Sequence, residues 1–352
     1  TSSGSAVFGD NVIAGKGPDK LISQTLGWER NYSWEVGFDM HLLDGRMQIS
    51  PVYYNKTTKD LLTSVPGLSG TVPALQNTGE IRNRGFELAA SWSDKIGENW
   101  RYGVSANLTT IDNEVVSLIS KDYSIINGVS RVSEGYPIGY FYGYKVAGVY
   151  QNETDIETSA PNQVASVKPG DLKFADVNGD GIISEKDRTM IGNPTPDFTY
   201  GLTISAGYKG FDFSMLLQGV GKHKVYYNNQ AFRFVTVMGQ SLNKDITDHA
   251  WTPENPYNSK YPRLRNNANS KNNIASDALV FNASYLRCKN IQLGYTLPSH
   301  ISEKFFVENL KIYTSIDNLF TLTDFPGLDP EIAAGVGYPQ LRQYSVGINV
   351  TF

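Results

Sequence analysis

From Tyr32 to Leu42 every second residue is large and apolar. Tyr32, Trp34, Val36, Phe38, Met40 and Leu42 share one face, and Asn31, Ser33, Glu35, Gly37, Asp39 and His41 share the other. Side chains alternate across a strand, so this period of two predicts a strand with one apolar and one polar side. The same alternation returns at 80–92, 100–112, 198–208 and 285–297, and from Arg342 to Phe352. Weaker versions at 46–57, 211–219 and 309–319 bring the count to nine predicted strands.

The connections between them differ in length. Asp44-Gly45 and Lys209-Gly210 are hairpin signals, and short links also join 80–92 to 100–112 and 285–297 to 309–319. The alternate connections, 58–79, 113–196, 220–284 and 320–341, are long. In an up-and-down meander every second connection emerges on the same side, so short turns lie at one end and long loops at the other. Outer-membrane β-barrels have this asymmetry, with short periplasmic turns and long extracellular loops. Strands near ten residues also suit a tilted bilayer crossing. A soluble sandwich accounts for the alternation, but not easily for a connection as long as 113–196.

Composition changes the picture little. Lys+Arg 31 against Asp+Glu 35 implies no polyanion partner, so nucleic acid is not expected. The single cysteine, Cys288, excludes an internal disulfide framework. No run approaches the roughly 20 apolar residues of a membrane helix. The mean hydropathy of −0.32 does not argue against a barrel, because only alternate residues meet lipid. Barrels of this kind have an even strand number and no open edge, so nine strands predict partners outside this sequence. Residues 1–31 form an expected extracellular lead-in, and 32–352 the barrel segment.

Several stretches, in order, carry a resemblance. They include WEVGFDMHLLDGRMQISPVYYNKTTKDLL at 34–62, LQNTGEIRNRGFEL at 75–88 and EGYPIGYFYGYKVAGVYQ at 134–151. PGDLKFADVNGDGIISEKDRTMIGNPTPDFTYGL at 169–202, SYLRCKNIQLGYTLP at 284–298 and IYTSIDNLFTLTDFPGLDPE at 312–331 follow. The chain resembles the C-terminal portion of SusC/RagA-type TonB-dependent outer-membrane transporters of Bacteroidota. The resemblance implies an all-β fold, about nine strands of a 22-stranded antiparallel barrel in the outer membrane. It implies active import of glycans or oligosaccharides, or of peptides, driven through TonB by an N-terminal region that has no counterpart in this sequence. A SusD-like surface lipoprotein, outer-membrane lipid and the barrel-assembly machinery, which reads the aromatic terminus at Phe352, are the implied partners.

The sharpest chemical motif lies inside the 113–196 connection, at 176–187. Calcium loops of the EF-hand type place oxygen ligands at positions 1, 3, 5, 7, 9 and 12, with glycine at 6. Here those positions are Asp176, Asn178, Asp180, the Ile182 carbonyl, Ser184 and Asp187, with Gly181 at the turn. Asp rather than Glu at the last position makes bidentate binding harder. The same residues also suit an Asx-rich turn held by its own hydrogen bonds. No catalytic constellation is found: His41, His223, His249 and His300 are dispersed, and no nucleophile elbow or phosphate loop occurs. Loop aromatics Tyr142, Tyr144, Tyr150, Trp251, Tyr257 and Tyr261 are candidates for stacking on sugars or packing against a lid, and the Asn-rich 228–230 and 266–273 suit hydrogen bonding to a sugar or, as the better reading, solvated loop. Two rival readings are a passive barrel fragment that serves assembly, and a soluble calcium-binding adhesive β-domain.

Overall fold

The computed structural model describes residues 2–8, 11–17, 26–65, 74–228, 234, 241–265, 271–332 and 337–352. Nine strands follow one another as antiparallel neighbours in a single wall. They are β1 (Arg30–Gly37), β2 (Met47–Val65), β3 (Ala74–Ile96), β4 (Trp100–Thr110), β5 (Phe198–Tyr208), β6 (Phe211–Gly221), β7 (Tyr285–Thr296), β8 (Asn309–Asp317) and β9 (Gln343–Thr351). The path is open: β1 and β9 each have one neighbour along it, and they are not paired with each other.

Register shows why the alternation was so regular. Ile348 pairs with Ile312, Ile312 with Tyr295, Tyr295 with Phe211, Phe211 with Tyr208, Tyr208 with Trp100, and Trp100 with Ile96. Within this row the rings of Trp100 and Tyr208 stack at 4.4 Å, and those of Phe211 and Tyr295 lie 4.5 Å apart. The row runs beside the short turns, and Ile348, Ile312, Phe211, Trp100 and Ile96 in it are exposed, Phe211 and Trp100 about half open. An aromatic girdle at one rim of an outward apolar band is the arrangement of a membrane barrel. On the opposite face Ser345, Ser315, Gln292, Ser214, Ser205 and Gly103 form an equally continuous row, small and polar. No second sheet covers the apolar face among the described residues, as a sandwich would require.

The turns obey local chemistry. Tyr208 pairs with Phe211 across Lys209 (φ 45°) and Gly210 (φ 87°), two left-handed residues that match the strand twist. At the other expected hairpin the turn is wider than Asp44-Gly45 alone, because Leu42 pairs with Met47. Most of the expected connection at 58–79 is strand instead, since β2 and β3 pair out to Val65 and Ala74. Its sequence loses alternation there because strands that leave the bilayer meet water on both faces. The expected lead-in also contains structure, an antiparallel pair of Ser2–Phe8 with Asn11–Gly17.

Candidate functional site

The three longest connections fold together rather than lying as separate loops. Tyr144, Leu172, Phe174 and Ile183 come from the connection between β4 and β5. Val225, Tyr227, Phe234, Ile246, Leu279 and Ala283 come from that between β6 and β7, and Phe325 from that between β8 and β9. All are buried in one hydrophobic cluster. Tyr144 stacks on Phe174 at 4.8 Å, and Tyr227 meets Phe325 edge-on at 5.1 Å. The result is a lobe at the long-connection end of the wall. Tyr144, Tyr150 and Trp251, candidates for ligand contact in the sequence, are core residues here, whereas Tyr257 is open.

Buried charge ties the connections. Asp171 is 1% exposed and receives Arg265 through Nε at 2.9 Å and through Nη2, with Lys168 N–H at 2.9 Å. Asn272, expected in solvated loop, is buried. Its Oδ1 accepts the Leu172 N–H at 2.9 Å, and its Nδ2 donates to the Arg263 carbonyl at 3.2 Å. Within the Asn-rich tracts, 229–230 and 266–270 lie outside the described residues. Gly170 (φ 87°) lets the chain pass Trp251, whose ring a Cβ would approach to 2.4 Å. At the junction of wall and lobe, Arg287 on β7 donates to Asp329 at 2.7 Å and Thr321 at 2.8 Å. Its Nη1 stands 3.0 Å from Glu331, unaligned for a hydrogen bond. Sequence inspection missed these pairs because each joins residues far apart along the chain. The parity also slips at a bulge opposite Leu216/Leu217, at Lys289, two residues beyond Arg287.

A cavity of about 560 Å³ opens among the connections, lined by Val149, Leu172, Phe234, Tyr261, Phe281 and Pro326, among others. At its polar edge Lys260 Nζ and Tyr261 OH donate to Asp245 Oδ2 at 2.7 and 2.6 Å. Those two bonds hold the Asp245 carboxyl down at about 2. An apolar chamber with a few fixed polar groups can seat a small solute. It contains no nucleophile–base pair from which a reaction could be built.

The 176–187 loop is anchored by Ile183, which is buried and bonded in both directions to Pro161 and Gln163. Asp176 accepts the Gly179 and Gly181 N–H groups at 2.7 Å each, Asn178 Oδ1 that of Asp180 at 2.8 Å, and Asp180 Oδ1 that of Ile182 at 3.0 Å. Ser184 and Asp187 form a capping box. Asp187 is fully buried, and its oxygens accept the Val177, Asn178 and Ser184 N–H groups. Burial alone would push the Asp187 carboxyl up, but the amide bonds outweigh it and hold the group low. The loop thus makes the bonds of an Asx-rich turn. Among the described residues, no group of three or more His, Cys, Asp or Glu side chains is gathered to hold a metal ion.

Residues 2–319 match the family described as TonB dependent receptor-like, beta-barrel. The chain is 33% identical over 376 residues to TonB-dependent receptor P3 of Formosa agariphila, with 99% of this chain and 36% of that protein covered. It is 28% identical over 366 residues to TonB-dependent receptor SusC of Bacteroides thetaiotaomicron, covering 98% and 34%. The chain therefore spans little more than a third of the length of these relatives. Its fold is similar to that of the RagAB peptide transporter, with a TM-score of 0.78 at 24% identity, covering all of this chain and 38% of that one. A wall with one lipid-type face and one polar face, a lobe on its long connections and a family match over nearly its whole length agree: the chain belongs to the TonB dependent receptor-like β-barrel family and is an outer-membrane protein.

Proposed function

We propose that this chain supplies barrel wall and extracellular lobe to an active importer of oligosaccharides, energised through TonB. The observation that carries the reading is the lobe: long connections that share one core and enclose a cavity above a polar-faced wall. A passive membrane anchor has no use for such an investment in folded surface. Relatives named as TonB-dependent receptors support the coupling, and SusC supports a lid-forming lipoprotein of the SusD type as partner. The peptide transporter RagAB keeps peptide cargo as the second reading, through fold alone. In this scheme 113–196 is extracellular. In cells carrying the full-length receptor, deletion of the N-terminal coupling region is expected to abolish energised uptake of the cognate ligand while surface binding persists. Undiminished uptake would overturn the assignment.

For the 176–187 loop the same reading proposes a calcium ion as a brace. Asp176, Asn178, Asp180, the Ile182 carbonyl and Ser184 are the hard oxygen donors such an ion takes. Asp187 could join only by giving up amide bonds, so occupancy through all six positions does not fit the loop as it stands. Calorimetry with calcium on the intact receptor and on Asp176→Ala and Asp180→Ala tests it. Heat of binding lost in the variants supports the brace, and unchanged heat rejects these ligands.

A further inference from the structure

A second pocket, of about 290 Å³, lies on the small sheet that Ser124–Asn127, Ser130–Ser133, Tyr140–Gly143 and Thr189–Gly192 build within the lobe. Two arginines flank one ring there: the Cζ atoms of Arg131 and Arg188 stand 4.2 and 4.6 Å from the centroid of Tyr142. Among the described residues neither guanidinium has a carboxylate within ion-pair distance, and the Nε of each is buried with no acceptor. Stacking on an aromatic ring stabilises a cation only modestly at partly open sites. Two like charges held to one ring repel, and a buried donor left unmade is costly. An anion seated against the open edges of the two guanidiniums would offset the repulsion. Lys121, Asp122 and Glu134 also line the pocket, so its lining charge is one positive unit before a ligand enters.

The remaining wall is aromatic. Tyr136 stacks on Tyr140 at 4.7 Å, and the Tyr140 hydroxyl is fixed to Ser133 Oγ at 2.8 Å. Tyr136 is itself 43% exposed, which leaves ring surface free beside the guanidinium pair. We propose that this pocket binds the carboxylate or sulfate ester of an acidic saccharide, the arginines taking the oxyanion and Tyr136 the C–H face of the sugar. Planar guanidinium groups suit bidentate oxyanion recognition. Arg131 and Tyr142 come from strands already paired on both sides, so neither of those two strands offers a free backbone edge to an extended peptide. Only the destination of the ligand rests on the import reading; binding at this pocket does not.

The test uses the detergent-solubilised full-length receptor and its Arg131→Gln and Arg188→Gln variants, with barrel folding checked by heat-modifiable gel migration. Probes are a trigalacturonate, an alginate trisaccharide and a sulfated carrageenan tetrasaccharide, each beside its methyl-esterified or desulfated counterpart, with triglutamate as a peptide control. The expected result is that at least one acidic saccharide binds tenfold or more tightly than its neutral counterpart, and that both variants erase the difference (roughly one bidentate charged contact). Arg131→Lys, which keeps charge but not the fork, should recover part of it. No arginine-dependent binding of any acidic saccharide overturns the proposal, and so does arginine-dependent binding of triglutamate alone. Energised uptake measured in parallel keeps the two readings separate: ligand bound but not imported faults the transport assignment, and import without charge discrimination faults this pocket.

Discussion

Replacing Arg287 with Met should loosen the last long connection without unfolding the wall. The guanidinium is 2% exposed and stands between Asp329, itself 4% exposed, and Glu331. Removing one partner of a buried pair leaves an uncompensated charge and costs about 3–5 kcal/mol. At about 1.4 kcal/mol per tenfold, that is roughly a hundred- to a few-thousand-fold in a local opening equilibrium. Two reporters are built in, because the Glu331 and Gln340 N–H groups donate to Asp329 at 2.9 and 3.0 Å. Hydrogen exchange of the 320–341 segment, followed by mass spectrometry, should accelerate at those amides, while exchange in β8 and β9 stays unchanged. The effect has a pH signature. Burial pushes the Asp329 carboxyl up, but the two amides and Arg287 outweigh it, and its folded pKa lies below the ordinary value. In the parent its contribution is present above the unfolded pKa, about 3.9, and fades as pH falls through the lower folded value. In Arg287→Met the carboxylate loses its cation, so protonation relieves the penalty and the gap to the parent narrows toward about pH 4. Adding Asp329→Asn should recover much of the protection at neutral pH. Exchange within roughly threefold of the parent, the scale of an ordinary surface change, would refute a buried pair that holds this junction.

Three further outcomes follow from packing. Leu279→Ala, at a fully buried position in the shared core, should cost about 2–5 kcal/mol, and limited proteolysis should open the β4–β5 and β6–β7 connections together; cleavage confined to one would contradict a common core. Gly170→Ala meets the Trp251 ring and a left-handed φ, and a loss of about 1–3 kcal/mol should appear as a lower melting temperature of the lobe by tryptophan fluorescence. On the wall, Val104 is on the outward face and pairs with Ile204; Val104→Lys should cost roughly 2–4 kcal/mol in folding into lipid vesicles, and Ser105→Lys on the opposite face far less, so equal costs would argue against the assignment of faces.

Much of the wall was legible because lipid imposes a rule on every second residue. The segment from Tyr32 to Leu42 shows it undiluted, and all nine strands stand where the alternation put them. Past Thr58 and before Glu80 the rule lapses, and there the strands proved to run on as far as Val65 and to start again from Ala74. The lobe was illegible for a different reason. Tyr144, Ile246 and Phe325 belong to one core but lie in three separate connections, and no local period marks a residue whose neighbours are that distant. Tyr150 and Trp251 look like exposed aromatics in polar surroundings until those neighbours are placed. The calcium-type loop had the opposite character: its spacing was clear, yet burial of Asp187 against backbone amides could not be read from it. Tyr142 stood among the loop aromatics expected to stack on sugars, but Arg131 and Arg188, distant from it and from each other in the sequence, gave no signal.

In the proposed importer, the common core also limits how cargo preference can change. If each connection were an independent loop, cargo preference could drift one loop at a time, as it does in scaffolds with separate recognition loops. Here Leu172, Leu279 and Phe325 must remain mutually complementary, so a substitution in one connection is judged by the other two. New preference is then expected to arrive by exchange of the whole lobe as a cassette, or by changes confined to its open rim, where Tyr136 and Tyr257 stand clear of the packing.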